Sequence, residues 1–125
     1  MSSSILDLVA AAKAVVPEIG VAEARELAGR ENLLFVDVRE DGEVAATGRI
    51  AGALHASRGM LEFRADAAMP THDPAFSKDK TIILYCASGG RAALCGKALL
   101  ELGNTDVRNL GGFKAWVDAG GEVEA

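Results

Sequence analysis

The sequence predicts an α/β fold in which helices flank a mostly parallel central sheet. Two mainly apolar runs, Leu33 to Val38 and Thr81 to Cys86, indicate strands that are buried on both faces. Helical segments alternate with these strands, and the clearest of them runs from Arg91 to Leu102. Short strands that alternate with helices are typical of βαβ units, so we expect a sandwich with a parallel sheet at its centre.

The first helix is predicted from apolar residues at helical spacing, namely Ile5, Leu8, Val9, Ala12, Val15 and Val16. The serines before Ile5 can cap this helix, and Pro17 ends the pattern. We assign residues 1–17 to an amphipathic helix packed on the domain or on a partner, and residues 18–125 to the main domain. A homodimer would explain the apolar face as well as packing within one chain does.

Turn and capping residues divide the rest of the chain. The segment "VAEARELAG" predicts a short helix with Gly29 at its end, and "REDGEVAATGR" predicts another that Gly48 ends. A brief strand follows in "IAGALHA". The segment "MLEF" predicts one or two helical turns before Pro70 and Pro74 impose a loop. Beyond the helix that Gly103 ends, "DVRNL" predicts a short strand and "GGFKAWVDAG" a closing helix between glycines.

The composition fits one globular domain in a reducing compartment. The chain has 125 residues, a net charge of −5 and no basic cluster, which argues against nucleic acid as its main partner. Its two cysteines, Cys86 and Cys95, flank a predicted helix start, so a disulfide between them is not expected. No basic segment opens the chain, and we predict a cytoplasmic protein without a membrane partner.

Two polar motifs follow the two long strands. "DVR" covers Asp37 to Arg39, and "CASGGR" covers Cys86 to Arg91. Ligands of parallel α/β sheets bind beyond the carboxyl ends of the strands. We therefore expect the two motifs to lie at one edge of the sheet.

The segment after Cys86 has the composition of an anion-binding loop. A helix begins within about one turn of the cysteine, so the backbone N–H groups between them lack intrahelical partners. Gly89 and Gly90 allow the backbone to curl around the sulfur, where these donors and the helix dipole would stabilise a thiolate. Arg91 adds a permanent positive charge. An inert buried thiol before an ordinary glycine turn explains these residues equally well.

Four ordered segments resemble the rhodanese-like (sulfurtransferase) domain family. They are "FVDVRE", "GRIAGALHA", "YCASGGRAALCGKALLELG" and "VRNLGGFKAWVDAGGEVE", and the likeness runs from about Ile19 to Val123. The family's loop pattern C-x-x-G-x-R falls on Cys86, Gly89 and Arg91. The resemblance implies a three-layer rhodanese-like sandwich over residues 18–125.

The resemblance also implies the chemistry. Cys86 would attack the sulfane sulfur of a small anionic donor such as thiosulfate, hold it as a persulfide and pass it to a thiol or cyanide, without a cofactor. The substrate-binding residues would be Ala87, Ser88, Gly89, Gly90 and Arg91. A non-catalytic module that carries a persulfide or binds a partner is the alternative.

Loop length separates this chemistry from phosphoryl transfer. Cysteine-based phosphatases and arsenate reductases that resemble this fold need C-x5-R, a loop wide enough to surround a tetrahedral phosphate. Here four residues separate Cys86 from Arg91. The shorter loop favours sulfur transfer.

Supporting residues are predicted around the loop. Asp37 and Arg39 match the family's "DVR", and we expect them to hydrogen-bond the loop and fix its shape rather than to contact substrate. Arg58 and Glu62 would line the mouth of the pocket, where Arg58 favours an anionic donor, or they form a solvated ion pair at helical spacing.

Five other chemically notable side chains are assigned non-catalytic roles. No pair of histidines or cysteines has zinc-site spacing, so His55 and His72 are not predicted to bind a metal. Cys95 lies among apolar residues at helical spacing and is expected in the core. Phe113 and Trp116 are assigned to the core as well.

Overall fold

The computed structural model describes residues 4–125, so the predicted capping by Ser2 and Ser3 lies outside the described residues. Twelve elements follow one another: α1 (Ile5–Val15), α2 (Val21–Leu27), β1 (Leu33–Asp37), α3 (Asp41–Thr47), β2 (Arg49–Ile50), β3 (Leu54–His55), α4 (Leu61–Ala65), β4 (Thr81–Cys86), α5 (Gly90–Glu101), β5 (Asp106–Gly112), α6 (Phe113–Asp118) and β6 (Val123–Glu124). The alternation of strands and helices is confirmed.

The central sheet has four parallel strands in the order β3-β1-β4-β5. A second, two-stranded antiparallel sheet joins β2 to β6, and the sequence pattern did not predict it. The single strand expected in "IAGALHA" is two strands, because a tight turn at Gly52, with φ of 81°, separates β2 from β3. The α/β fold with a mostly parallel sheet is confirmed.

Side chains of the central strands alternate between two cores, one on each face of the sheet. On one face Val36, Leu84 and Cys86 pack with α5 residues. On the other face Phe35 and Tyr85 pack with residues of α2 and α6. Helices therefore cover both faces, which gives three layers and explains why β1 and β4 are mainly apolar.

Helix α1 begins with a capping box. The Ser4 side chain accepts from the backbone N–H of Asp7, and the Asp7 carboxylate accepts from the backbone N–H of Ser4. The helix lies against α5, where a methyl group on Gly96 would be 2.9 Å from Cγ1 of Val16. Several apolar side chains of α1 stay exposed, namely Ile5, Leu6, Leu8 and Val15. Among residues 4–125 no helix is both long and apolar enough to span a membrane.

Candidate functional site

The carboxyl ends of three strands meet at one edge of the sheet. Asp37 at the end of β1 pairs with Tyr85, and Cys86 at the end of β4 pairs with Gly112 of β5. The "DVR" and "CASGGR" motifs thus lie side by side, as the topology predicts.

Cys86 is buried on the α5 side of the sheet, beneath the loop that leads into α5. The backbone N–H of Gly89 donates to the Cys86 Sγ at 2.9 Å. Gly89 adopts φ of 97°, which only glycine takes without strain, and it is the residue before the first turn of α5. Ala87 and Ser88, the two residues after Cys86, are exposed. The curl that the sequence predicts is present, and its observed donor, the Gly89 N–H, lies at the N-terminus of α5.

Strand β5 holds this loop from the other side. The Asn109 side-chain amide donates to the Gly89 carbonyl at 3.1 Å, and its oxygen accepts from Gly111 N–H at 2.8 Å. Asn109 is itself buried. The sequence pattern did not predict this contact, because Asn109 lies twenty residues from Gly89 and an asparagine within a strand has no motif of its own.

Arg91 is held by the Glu43 carboxylate, which the sequence pattern did not predict either. Its guanidinium donates to both oxygens of Glu43, at 2.6 and 2.9 Å. The pKa of Glu43 is lowered from 4.5 to about 2. The bonds from Arg91 are the largest cause, and the hydrogen bond from the backbone N–H of Glu40 is the second. The bonds to Glu43 are also the main reason that the pKa of Arg91 is raised, and the nearby Cys86 sulfur raises it by a smaller amount. Arg91 therefore spans the space between α3 and the cysteine.

The prediction that Asp37 and Arg39 hydrogen-bond the cysteine loop is wrong for the Arg39 side chain. Within residues 4–125 the Arg39 guanidinium donates to the Asp37 carboxylate, to Thr47 and to the Gly48 carbonyl, and not to the cysteine loop. Both side chains are almost fully buried, and the guanidinium lies 4.3 Å from the centre of the Phe113 ring. They join β1 to the end of α3, because a buried guanidinium needs several acceptors and Asp37, Thr47 and Gly48 supply them.

Arg58 and Glu62 line a cavity of about 420 Å³ with Glu40, Gly59 and Arg91. A smaller cavity of about 180 Å³ continues from the same two residues toward Cys95. In the part of the chain that the structure describes, Arg58 and Glu62 form no ion pair with each other. The alternative of a solvated ion pair between them is therefore wrong.

Comparison with known proteins identifies the family. Residues 20–119 match the family model described as "Rhodanese-like domain". The chain belongs to the rhodanese-like domain family. A sulfurtransferase of Allochromatium vinosum is 32% identical, over 78% of this chain and 83% of its own length. The thiosulfate sulfurtransferase GlpE of Coxiella burnetii is 31% identical, over 79% of this chain and 85% of its own.

A solved structure from Rhodopseudomonas palustris matches this rhodanese-like domain with a TM-score of 0.91 and 35% identity. It covers 99% of this chain and 96% of its own. That protein is described as of unknown function and as a possible tyrosine phosphatase. The match extends over α1, so the N-terminal helix is shared with it.

The remaining side chains singled out from the sequence lie around the site or in the core. Cys95 is buried, and burial raises the pKa of its thiol to about 12. Phe113 and Trp116 are buried, and Phe113 stacks on Tyr85 with ring centres 5.9 Å apart. His55 Nε2 lies 2.7 Å from the carbonyl oxygen of Arg39, and His72 is half-buried.

A methyl group at Gly112 should disturb the rhodanese-like loop. It would lie 2.6 Å from the carbonyl oxygen of Ala87, which is closer than the two atoms can approach. We expect Gly112→Ala to lower the free energy of unfolding by about 1–3 kcal/mol, measured by urea denaturation.

Gly42→Ala is the matched control for this substitution. Gly42 lies in α3 with no atom within 4 Å of the added methyl group. We therefore expect Gly42→Ala to raise the free energy of unfolding by about 0.5–1 kcal/mol. Equal effects of the two substitutions would contradict the close contact between β5 and the loop.

The Glu43–Arg91 ion pair should make stability depend on pH in acid. A carboxylate whose pKa is lowered by folding stabilises the fold above its ordinary pKa and loses this effect as pH falls through the folded value. The two side chains are about one third exposed, so solvent weakens their attraction and the pair stabilises the fold by only about 0.5–1 kcal/mol. The difference in unfolding free energy between the natural chain and Glu43→Gln should shrink between pH 4.5 and 2. A difference that stays constant over this range would argue against the pair.

Proposed function

We propose that this chain is a sulfurtransferase that moves a sulfane sulfur through a persulfide on Cys86. The single observation that carries the proposal is the Gly89 N–H bonded to the Cys86 Sγ at the start of α5. A thiolate in such a cradle is stabilised by backbone donors and by the helix dipole. The sulfurtransferase names of relatives that cover most of the chain support the same chemistry.

In the first half-reaction the Cys86 thiolate attacks the outer sulfur of an anionic donor such as thiosulfate. A bond forms between Sγ and the outer sulfur, the sulfur–sulfur bond of thiosulfate breaks, and sulfite leaves with its electron pair. The backbone N–H groups of residues 87–91 would hold the terminal persulfide sulfur as they would hold an oxyanion. A persulfide extends about 2 Å beyond Sγ, which brings the transferable sulfur toward the surface.

In the second half-reaction a thiol or cyanide takes the outer sulfur. The acceptor attacks it, the sulfur–sulfur bond to Cys86 breaks, and the thiolate is restored in its cradle. No net oxidation occurs and no cofactor is required. Arg91, which Glu43 holds beside the sulfur, would stabilise negative charge on donor and leaving group alike.

Intact mass spectrometry tests the proposal directly. After thiosulfate treatment we expect the protein to gain the mass of one sulfur atom, on the peptide that contains Cys86. Addition of cyanide should remove this mass and release thiocyanate. A protein that gains no sulfur from thiosulfate or from other sulfane donors would contradict the proposal.

The same measurement separates the alternative functions. A sulfur that loads onto Cys86 but is not discharged by small acceptors would favour a persulfide carrier. No loading at all would favour a partner-binding module.

A phosphatase is the second candidate, because the Rhodopseudomonas palustris protein is described as a possible tyrosine phosphatase. One feature weighs against this chemistry here. The loop has four residues between Cys86 and Arg91, one fewer than phosphatases of this kind use. Hydrolysis of an aryl phosphate by the natural chain, lost in Cys86→Ser, would support the phosphatase function.

A further inference from the structure

Asn109 is a buried polar residue whose side chain reaches the cysteine loop from β5. Its amide nitrogen donates to the Gly89 carbonyl at 3.1 Å, and its amide oxygen accepts from the Gly111 N–H at 2.8 Å. Both ends of the amide are therefore engaged, and a turn of the side chain would break two buried hydrogen bonds. The contact between Asn109 and Gly89 has a fixed geometry.

The backbone of Asn109 is held on both edges of β5. On one edge β5 pairs with β4, which ends at Cys86. On the other edge the Asn109 N–H donates to the Pro17 carbonyl at 2.8 Å, and the Asn109 carbonyl accepts from the Ile19 N–H at 3.0 Å. The segment between α1 and α2 thus covers this edge, and the Asn109 side chain projects from a backbone that cannot shift easily.

The bond from Asn109 fixes the peptide group that joins Gly89 to Gly90. Two glycines in succession leave this peptide group free to rotate unless a neighbour holds it. The Gly89 carbonyl accepts from Asn109 and also from the backbone N–H of Ala93 in α5. Because the peptide group is planar and trans, its N–H, which belongs to Gly90, points away from these two donors.

The N–H groups of this segment are the donors on which the sulfur chemistry depends. The Gly89 N–H donates to the Cys86 Sγ at 2.9 Å. Gly90 begins α5, and the first N–H groups of a helix have no partner inside the helix. Donors of this kind stabilise a developing charge most when they already point at it, because they need not reorient during the reaction.

We propose that Asn109 is a positioning residue for the nucleophile: its side-chain N–H holds the peptide between Gly89 and Gly90 so that the loop N–H groups face the Cys86 sulfur. This inference rests on the proposed sulfur transfer and adds to it a residue that acts through the loop rather than on the substrate. Asn109 is buried, so water does not replace its donor.

Asn109→Asp removes the donor and keeps the shape of the side chain. The carboxylate can still accept from the Gly111 N–H, but it offers no N–H to the Gly89 carbonyl and repels that oxygen. At about pH 8 we expect the rate constant for loading sulfur from thiosulfate onto Cys86 to fall about tenfold to hundredfold. Mass spectrometry of samples quenched at successive times gives this rate constant, and circular dichroism confirms that the variant is folded.

Protonation of the introduced carboxyl group should restore the donor. A protonated carboxyl has one O–H group that can donate to the Gly89 carbonyl, and burial favours this neutral form. We expect the loading rate of Asn109→Asp, divided by that of the natural chain, to rise about fivefold or more between about pH 8 and pH 5.5. A change in packing alone would leave this ratio constant, because pH does not alter the shape of the side chain.

Asn104→Asp is the matched control for Asn109→Asp. Asn104 and Asn109 are equally buried, each 4% exposed. Asn104 follows α5 at the end opposite the cysteine loop, so the same substitution buries the same charge away from Cys86. We expect Asn104→Asp to leave the loading rate of the folded protein and its pH dependence unchanged.

Amide hydrogen exchange, followed by nuclear magnetic resonance, reports on the loop without any sulfur donor. The Gly89 N–H should exchange about threefold to tenfold faster in Asn109→Asp than in the natural chain at the same pH, because the loop opens more readily. Asn104→Asp should leave the exchange of this N–H unchanged.

The outcomes separate this inference from the function on which it rests. Equal loading rates in the natural chain and Asn109→Asp would overturn the positioning role and leave sulfur transfer intact. An equal fall in Asn104→Asp, a loading ratio that does not rise in acid, or a Gly89 N–H that exchanges at the natural rate in Asn109→Asp would overturn it as well. A natural chain that loads no sulfur onto Cys86 would overturn both.

Discussion

Cys86→Ser should reduce thiosulfate-dependent thiocyanate formation by about three orders of magnitude or more, because a serine hydroxyl replaces the nucleophile. Serine is nearly the same size as cysteine, so the buried site should keep its packing. Its hydroxyl stays protonated where a thiolate would form, and it does not accept a sulfane sulfur. Thiocyanate production measured with saturating thiosulfate and cyanide gives the result.

Cys95→Ala is the matched control for Cys86→Ser. Cys95 is the only other cysteine of the sequence, and its buried thiol is held protonated by a pKa of about 12. We expect this variant to keep most of the activity. Activity that survives in Cys86→Ser, or disappears in Cys95→Ala when the protein remains folded, would contradict the assignment of Cys86 as nucleophile.

Arg39→Met should be among the most destabilising substitutions in the chain. It removes the partner of Asp37, a carboxylate that is fully buried and bonded by Arg39 at 2.7 Å. Leaving a buried charge unpaired costs about 3–5 kcal/mol. The substitution also removes the guanidinium beside Phe113 and one of the two side-chain donors to the Gly48 carbonyl, the other being the Thr47 hydroxyl. Urea denaturation followed by circular dichroism measures the loss.

Lys97→Met provides the comparison for Arg39→Met. Lys97 pairs with Glu101 on the exposed face of α5, where solvent weakens the attraction, and we expect a change of at most about 1 kcal/mol. The double variant Asp37→Leu with Arg39→Met should recover part of the loss, since an apolar pair leaves no buried charge. A loss in Arg39→Met no greater than in Lys97→Met would show that Asp37 is not desolvated.

The regular elements and the cysteine loop follow from short stretches of sequence. The apolar run "TIILYC" is long enough for a buried strand and too short for a helix, and Gly89 and Gly90 permit the curl before α5 whatever the rest of the chain does. Local pattern and chain order sufficed to predict the parallel sheet. They also sufficed to bring "DVR" and "CASGGR" to one edge.

The sequence by itself therefore determined the fold class, the family and the candidate nucleophile. Only the tertiary structure decided which side chains hold the site together. Glu43 reaches Arg91 across 48 residues of sequence, and Asn109 reaches Gly89 across twenty. It also directs the Arg39 guanidinium to the end of α3 and, within residues 4–125, leaves Arg58 and Glu62 without an ion pair to each other. Such contacts depend on how helices and strands pack, and side-chain partners brought together by packing leave no periodic or local pattern in the sequence.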